Sequence, residues 1–93
     1  MYQVLIANYA KRKIKKFAKE LRQKIYKEAS MLSNNPLDGD KLKGKLSFLY
    51  SLHFRYKKTD YRIAYIINHK NKTIIVQFVD IRENFYQKLK RLL

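Results

Sequence analysis

The stretch YSLHFRYKKTDYRIAYIINHKNKTIIVQFV, residues 50–79, decides the fold. Its first seven residues alternate in character. Tyr50, Leu52, Phe54 and Tyr56 take one side of an extended chain, and Ser51, His53 and Arg55 take the other. A period of two marks a half-buried strand, because successive strand side chains leave on opposite faces. Residues 57–60 form a polar turn, after which Tyr61, Ile63, Tyr65 and Ile67 resume the alternation with Arg62 on the polar side. His69-Lys70-Asn71 is a second tight turn, and residues 72–79 are a third strand. Three strands in succession, joined by short turns, predict an antiparallel meander.

On the N-terminal side the period changes. Residues 2–6 are a short β-prone run that opens with a strand. Ala10, Ile14, Phe17, Ala18 and Leu21 then recur every three or four residues and so share one stripe of a helix. Leu21, Ile25, Ala29 and Leu32 extend the stripe to about Ser33. One long helix and two helices bent near residue 19 both fit, and a two-helix hairpin is expected. Asn34-Asn35-Pro36 ends it, since the residue before proline is pushed out of the α region. Residues 37–45 are a loop holding the only two glycines. Beyond Asp80, residues Ile81, Phe85, Leu89 and Leu92 return to helical spacing. The expected order is β-α-α-β-β-β-α: an α+β fold, with residues 1–93 as one domain and two helices on one face of a small sheet.

Lys and Arg number 22 against 7 Asp and Glu, a formal net charge of +15. Such a chain attracts polyanions, with nucleic acid first and an acidic protein second. The absence of cysteine excludes disulfides and thiolate chemistry, and two histidines are too few for an all-His metal centre. The acidic residues are scattered, which argues against two-metal nucleases and glycosidases. No glycine-rich phosphate loop and no Ser-His-Asp arrangement is present. No window approaches the ~18 apolar residues of a membrane span, and the N-terminus runs apolar then basic, the reverse of a signal peptide. A cytoplasmic protein is expected, and no cofactor or metal.

The polar side of the predicted sheet carries His53, Arg55 and Arg62, with Arg82 and Tyr86 just after the last strand. Lys43, Lys45, Lys57 and Lys58 fall in flanking loops. Guanidinium forks match phosphate oxygens, and an imidazole or a phenol can move protons. The plainer reading is that these residues only solubilise an exposed face. Tyr61, Tyr65 and Phe85 read as core by their spacing. Tyr86, one step off the Phe85 stripe, reads as functional.

Asn35-Pro36, Leu42-Lys43-Gly44, Leu49-Tyr50-Ser51-Leu52, Asp60-Tyr61-Arg62-Ile63-Ala64-Tyr65 and Arg82-Glu83-Asn84-Phe85-Tyr86, in that order, resemble the RelE/ParE superfamily of bacterial toxins over nearly the whole chain. The resemblance implies a helical hairpin on a small antiparallel sheet, and a cognate antitoxin whose acidic or amphipathic segment wraps the toxin in a hetero-oligomer. Its RelE branch, favoured here, cuts mRNA on the ribosome, whereas its ParE branch poisons DNA gyrase without nuclease activity. A non-catalytic nucleic-acid binder is a third reading.

By the same resemblance, Arg62, Arg82, Tyr86 and Arg55 match RelE site positions. Ser51 and His53 stand where RelE proper has a lysine pair, and the interval from Arg82 to Tyr86 is shorter than in RelE. His53 can take over proton transfer from one lysine; Ser51 cannot. The implied reaction needs no metal: the 2′-hydroxyl of the RNA attacks the adjacent phosphate, with His53 or Tyr86 as base. Arg62 and Arg55 stabilise the developing charge, and Arg82 holds the phosphate or protonates the leaving oxygen indirectly. Residues 11–27 carry nine basic side chains, among them Lys11, Lys15, Lys19 and Arg22, and would dock on ribosomal RNA phosphates.

Overall fold

The computed structural model describes residues 1–92, with side chains described for all of them except 84 and 92. In chain order the elements are β1 (Gln3–Ile6), α1 (Asn8–Lys15), α2 (Lys19–Met31), β2 (Asp40–Lys41), a 3₁₀ turn (Gly44–Leu46), β3 (Tyr50–Tyr56), β4 (Thr59–Asn68), β5 (Thr73–Ile81) and α3 (Arg82–Leu92). The strands lie in the order β1-β5-β4-β3-β2. The expected meander is β3-β4-β5, antiparallel throughout. β1 joins its far edge in parallel with β5, from Gln3 opposite Thr73 to Ile6 opposite Val76. Strand β2, inside the expected loop, is too short for sequence periodicity to register. Among the described residues no helix is long and apolar enough to cross a membrane.

The helical stripe divides as expected, but through side-chain packing rather than a glycine or proline. Phe17, in the break between α1 and α2, meets the ring of Tyr61 edge-on at 6.1 Å, and its N–H closes a tight last turn on the Ile14 carbonyl at 3.0 Å. Ala10, Ile14, Leu21, Ile25, Ala29 and Leu32 are buried on the stripe, while Ala18 caps α2 and is exposed. Opposite them the sheet contributes Phe54, Ile63, Tyr65, Ile74, Val76 and Val79. The second face is covered too. There Phe85 and Leu89 of α3 pack on Leu49, Ala64 and Phe78. The expectation of one wet sheet face is thus corrected in part: α3 has to bury its own apolar stripe and covers that face over Leu49, Ala64 and Phe78, while His53 and Arg55 stay exposed on it. Leu92, the last residue of that stripe, lies outside the described side chains.

Residue Gln77 makes the second core possible. Ala64 faces Phe78 and Tyr65 faces Val76, so Gln77 is an extra residue in β5. A bulge of this kind reverses the alternation beyond it. Val76 and Phe78 are two apart, yet they enter opposite cores.

Tyr65 ties the long loop to the sheet. Its hydroxyl donates to the Pro36 carbonyl at 2.8 Å and accepts from the Gly39 N–H at 2.9 Å. Burial pushes this phenol above its ordinary pKa. A Cβ on Gly39 would sit 2.6 Å from the Tyr65 hydroxyl oxygen, which accounts for the glycine.

The turn between β3 and β4 contains two residues, Lys57 and Lys58, with φ of 47° and 66°. That conformation favours Asn-Gly and costs an ordinary L-residue ~1–2 kcal/mol. Replacing the pair by Asn-Gly should therefore raise stability by about 1 kcal/mol, a gain of ~4–8 °C in Tm for a domain of this size. A calorimetric melt checks it, and an unchanged or lowered midpoint would contradict it.

Candidate functional site

Cross-strand register assembles the site. His53 on β3 stands opposite Arg62 on β4, and Arg62 stands opposite Asp80 on β5. Directly opposed residues of antiparallel strands share a face, so His53, Arg62 and Asp80 form one row beside α3. The neighbouring rows are Ser51-Ala64-Phe78 on one side and Arg55-Asp60 on the other.

Arg62 is the centre. It is half-buried, and its Nη1 reaches the hydroxyl of fully buried Ser51 at 3.5 Å. Its guanidinium carbon stands 5.7 Å from the ring centre of Tyr86, within cation–π range. Among the described residues its Nε is buried without a partner, and no carboxylate lies within ion-pair distance of it. A cation withdrawn from water with a free donor is costly unless an anion completes it. Tyr86 reaches this point because its neighbour Phe85 is wholly buried, their rings meeting edge-on at 5.1 Å.

Asp80 is in the row but is used elsewhere. Lys88 of α3 and Lys13 of α1 approach its Oδ2 at 2.9 Å and 3.6 Å, and its Oδ1 accepts the Ile81 N–H at 2.7 Å. Almost wholly buried, this carboxylate pairs with a lysine from each of α1 and α3, and among the described residues no ion pair joins it to Arg62. Sequence reasoning missed it. The available signal was a lone acid near the end of the mostly apolar run of β5.

The other expected residues divide by face. His53 and Arg55 are exposed on the row side of β3, and Arg82 is exposed at the start of α3. Arg82, Tyr86, Lys58 and Asp60 line a cleft of ≈ 400 Å³ that also takes in Glu83, so its charge is mixed. Lys43 and Lys45 border a separate trough on the far side of Tyr86. Lys57 is engaged by Glu20, which accepts from its Nζ at 3.4 Å and from the Tyr56 hydroxyl at 3.1 Å. Those bonds hold the Glu20 carboxyl below its ordinary pKa. Lys11, Lys15, Lys19 and Arg22 belong to α1 and α2, whose buried residues pack in the first core, on the other face of the sheet from Arg62. Among the described residues no three His, Asp or Glu side chains come together as metal ligands.

Residues 4–90 match the ParE-like toxin of type II bacterial toxin–antitoxin system. The chain belongs to this family. Among curated proteins no sequence matches it significantly. Solved structures do. The toxin–antitoxin complex RelBE2 of Mycobacterium tuberculosis contains a chain of 29% identity and TM-score 0.77, the match covering 87% of this chain and 98% of that one. The isolated Escherichia coli RelE toxin superposes over 100% of both chains at 20% identity and TM-score 0.71. The archaeal RelE–RelB complex of Pyrococcus horikoshii gives 24% identity and TM-score 0.66 over 87% and 94%. The resemblance to the RelE/ParE superfamily is borne out, and the α+β fold with it.

Proposed function

We propose that this family member is a ribosome-dependent, metal-independent endoribonuclease that cuts mRNA in the decoding site. The observation that carries the reading is Arg62: half-buried, and among the described residues with an unpaired donor and no carboxylate partner, it is a prepared seat for a phosphate. A pure binder would do better with exposed, fully hydrated cations, since phosphate contacts of that kind position without demanding desolvation.

The chemistry follows from the row. The RNA's 2′-hydroxyl loses its proton to His53 or Tyr86 and attacks the neighbouring phosphorus. The bond to the 5′-oxygen breaks and that oxygen takes a proton from a solvent water on the Arg82 side, leaving a 2′,3′-cyclic phosphate and a 5′-hydroxyl. Arg62, with Arg55, stabilises charge on the non-bridging oxygens, where fixed donors in a desolvated site act most strongly. Arg82 holds the adjoining phosphate. Ser51 does not act on protons in this scheme; its hydroxyl supports Arg62.

Residues 1–93 act as one toxin domain in the cytoplasm, and a cognate antitoxin with an acidic segment fits the net charge of +15. Two of the relatives above are complexes of toxin with antitoxin, which supports that partner. The basic helices would meet ribosomal RNA while the row meets mRNA. A second reading is inhibition of DNA gyrase by binding alone, favoured by the ParE-like description of the family.

Primer extension on a defined mRNA in a reconstituted translation reaction separates the two. Discrete new 5′ ends that need ribosomes and disappear with Arg82→Ala are expected, with cyclic phosphate on the upstream fragment. Intact mRNA together with inhibited supercoiling would establish the gyrase reading instead.

A further inference from the structure

Across Tyr86 from the mixed-charge cleft lies a trough that the reaction above does not use. Its nearer part, ≈ 360 Å³, is bordered by Tyr86, Lys43, Leu46 and Lys90, with Asp40 at its rim. Its farther part, ≈ 720 Å³, keeps Lys43, Leu46 and Lys90 and adds Lys45, Gly44 and Phe48. The shared lining makes the two continuous, and among the described residues no acidic side chain lines the farther part. Tyr86 and Lys90 are four residues apart on α3, hence on one face with a rise of about 6 Å.

Phe48 is the unusual member. It is 49% exposed, between Leu46 and Leu49, which enter the second core. The exposure does not come from a loose loop. The Ser47 N–H bonds to the Gly44 carbonyl at 3.1 Å, the Leu49 N–H to the Leu46 carbonyl at 2.9 Å, and the Leu42 N–H to the Leu49 carbonyl at 3.0 Å. Gly44 itself turns with φ +66°, and nothing stands within 4 Å of where its Cβ would be, so the trough is open there. An apolar ring is thus held out to solvent on a braced turn, with three ammonium groups around it.

We propose that this trough is a subsite for single-stranded RNA, in which Phe48 stacks on a base flanking the cut and Lys43, Lys45 and Lys90 take the phosphates. A basic groove that carries an aromatic platform is the recurrent solution for unpaired strands, because every base has a π-face and every nucleotide a charge. An acidic peptide would use the lysines but leaves the ring in water unless it also carries an apolar side chain, whereas every nucleotide of an unpaired strand brings both a π-face and a charge. The subsite extends the nuclease reading of the Arg62 row and rests on it for the direction of the strand.

The test is binding of a fluorescent single-stranded oligoribonucleotide, read by anisotropy at fixed salt, beside the primer-extension assay. Phe48→Ala should weaken binding by about 5- to 100-fold, the range expected for one lost stack. Phe48→Tyr should restore it, and Lys90→Gln should flatten the salt dependence. Thermal melts should stay at the parent midpoint, since Phe48 is outside both cores. Equal binding by Phe48→Ala and parent, no binding by the parent, or Phe48-dependent capture of polyglutamate in place of RNA would each overturn the proposal. If the parent cuts mRNA while Phe48→Ala binds RNA as well as the parent does, the subsite fails and the nuclease stands. If Phe48-dependent binding occurs without any cleavage, the nuclease fails and the subsite stands.

Discussion

Arg62→Ala is expected to lower ribosome-dependent cleavage by roughly 10²–10³-fold, the usual loss when a preorganised donor to transition-state charge is removed. Stability should barely change. Arg62 makes one long bond to Ser51 and a ring contact with Tyr86, and it leaves a buried Nε unpaired. Removing a partly desolvated, unpaired cation relieves a cost at the same time as it forfeits those contacts. Arg62→Lys should stay close to the alanine variant, because an ammonium cannot present two parallel donors to a phosphate. Single-turnover cleavage on programmed ribosomes, with a thermal melt of each variant, provides the check. Cleavage at the parent rate by a folded Arg62→Ala protein would remove the central support for the nuclease reading.

The second large effect is structural. Phe85→Ala should cost about 3–5 kcal/mol, a large fraction of the ~5–15 kcal/mol that holds a domain together. Phe85 is wholly buried and stacks near Phe78 at 5.8 Å, and with Leu89 it is what α3 contributes to the second core. The first core, between the sheet and the two other helices, has no part in that contact. Denaturation should therefore shift to lower urea, and amide exchange should accelerate first in α3, with β4 and β5 protected longest. Cleavage should fall too, since Tyr86 is held over Arg62 only while α3 is docked. Tyr86→Ala supplies the contrast: Tyr86 is 40% exposed, so its loss should affect cleavage and leave the urea midpoint nearly in place. Uniform exchange across α3 and the sheet in Phe85→Ala would show instead that the two cores unfold as one.

Much of this molecule is legible in local pattern. Alternation from Tyr50 onward places Ser51, His53 and Arg55 together, and Arg62 against the apolar set of β4, because a strand obliges successive side chains to part company. The stripe from Ala10 to Leu32 marks its helices for a similar reason. Tyr86 stands out by lying one residue off the buried Phe85. Less legible were the groups whose role depends on distant neighbours. Asp80 looks like a stray acid until Lys13 and Lys88, from opposite ends of the chain, are seen at its carboxylate. Phe48, between the expected loop and strand, gives no periodic signal, and its exposure shows only once its neighbours are seen to occupy the core without it.

The sequence by itself determined the longer elements and their order, the basic character and the candidate residues of the polar face, since each depends on spacing along the chain and on side-chain chemistry; the two-residue β2 and the 3₁₀ turn were too short to register. Tertiary structure decided which of those residues meet. The extra residue at Gln77 puts Phe78 under α3 and Asp80 beside Arg62, and no periodicity reports where a ladder will slip. Strand β1 pairs with β5 across most of the chain, and α3 covers a face that alternation alone left to solvent. Both follow from the need to bury apolar surface against whatever the rest of the chain presents, a condition set by three-dimensional packing and not by any local pattern.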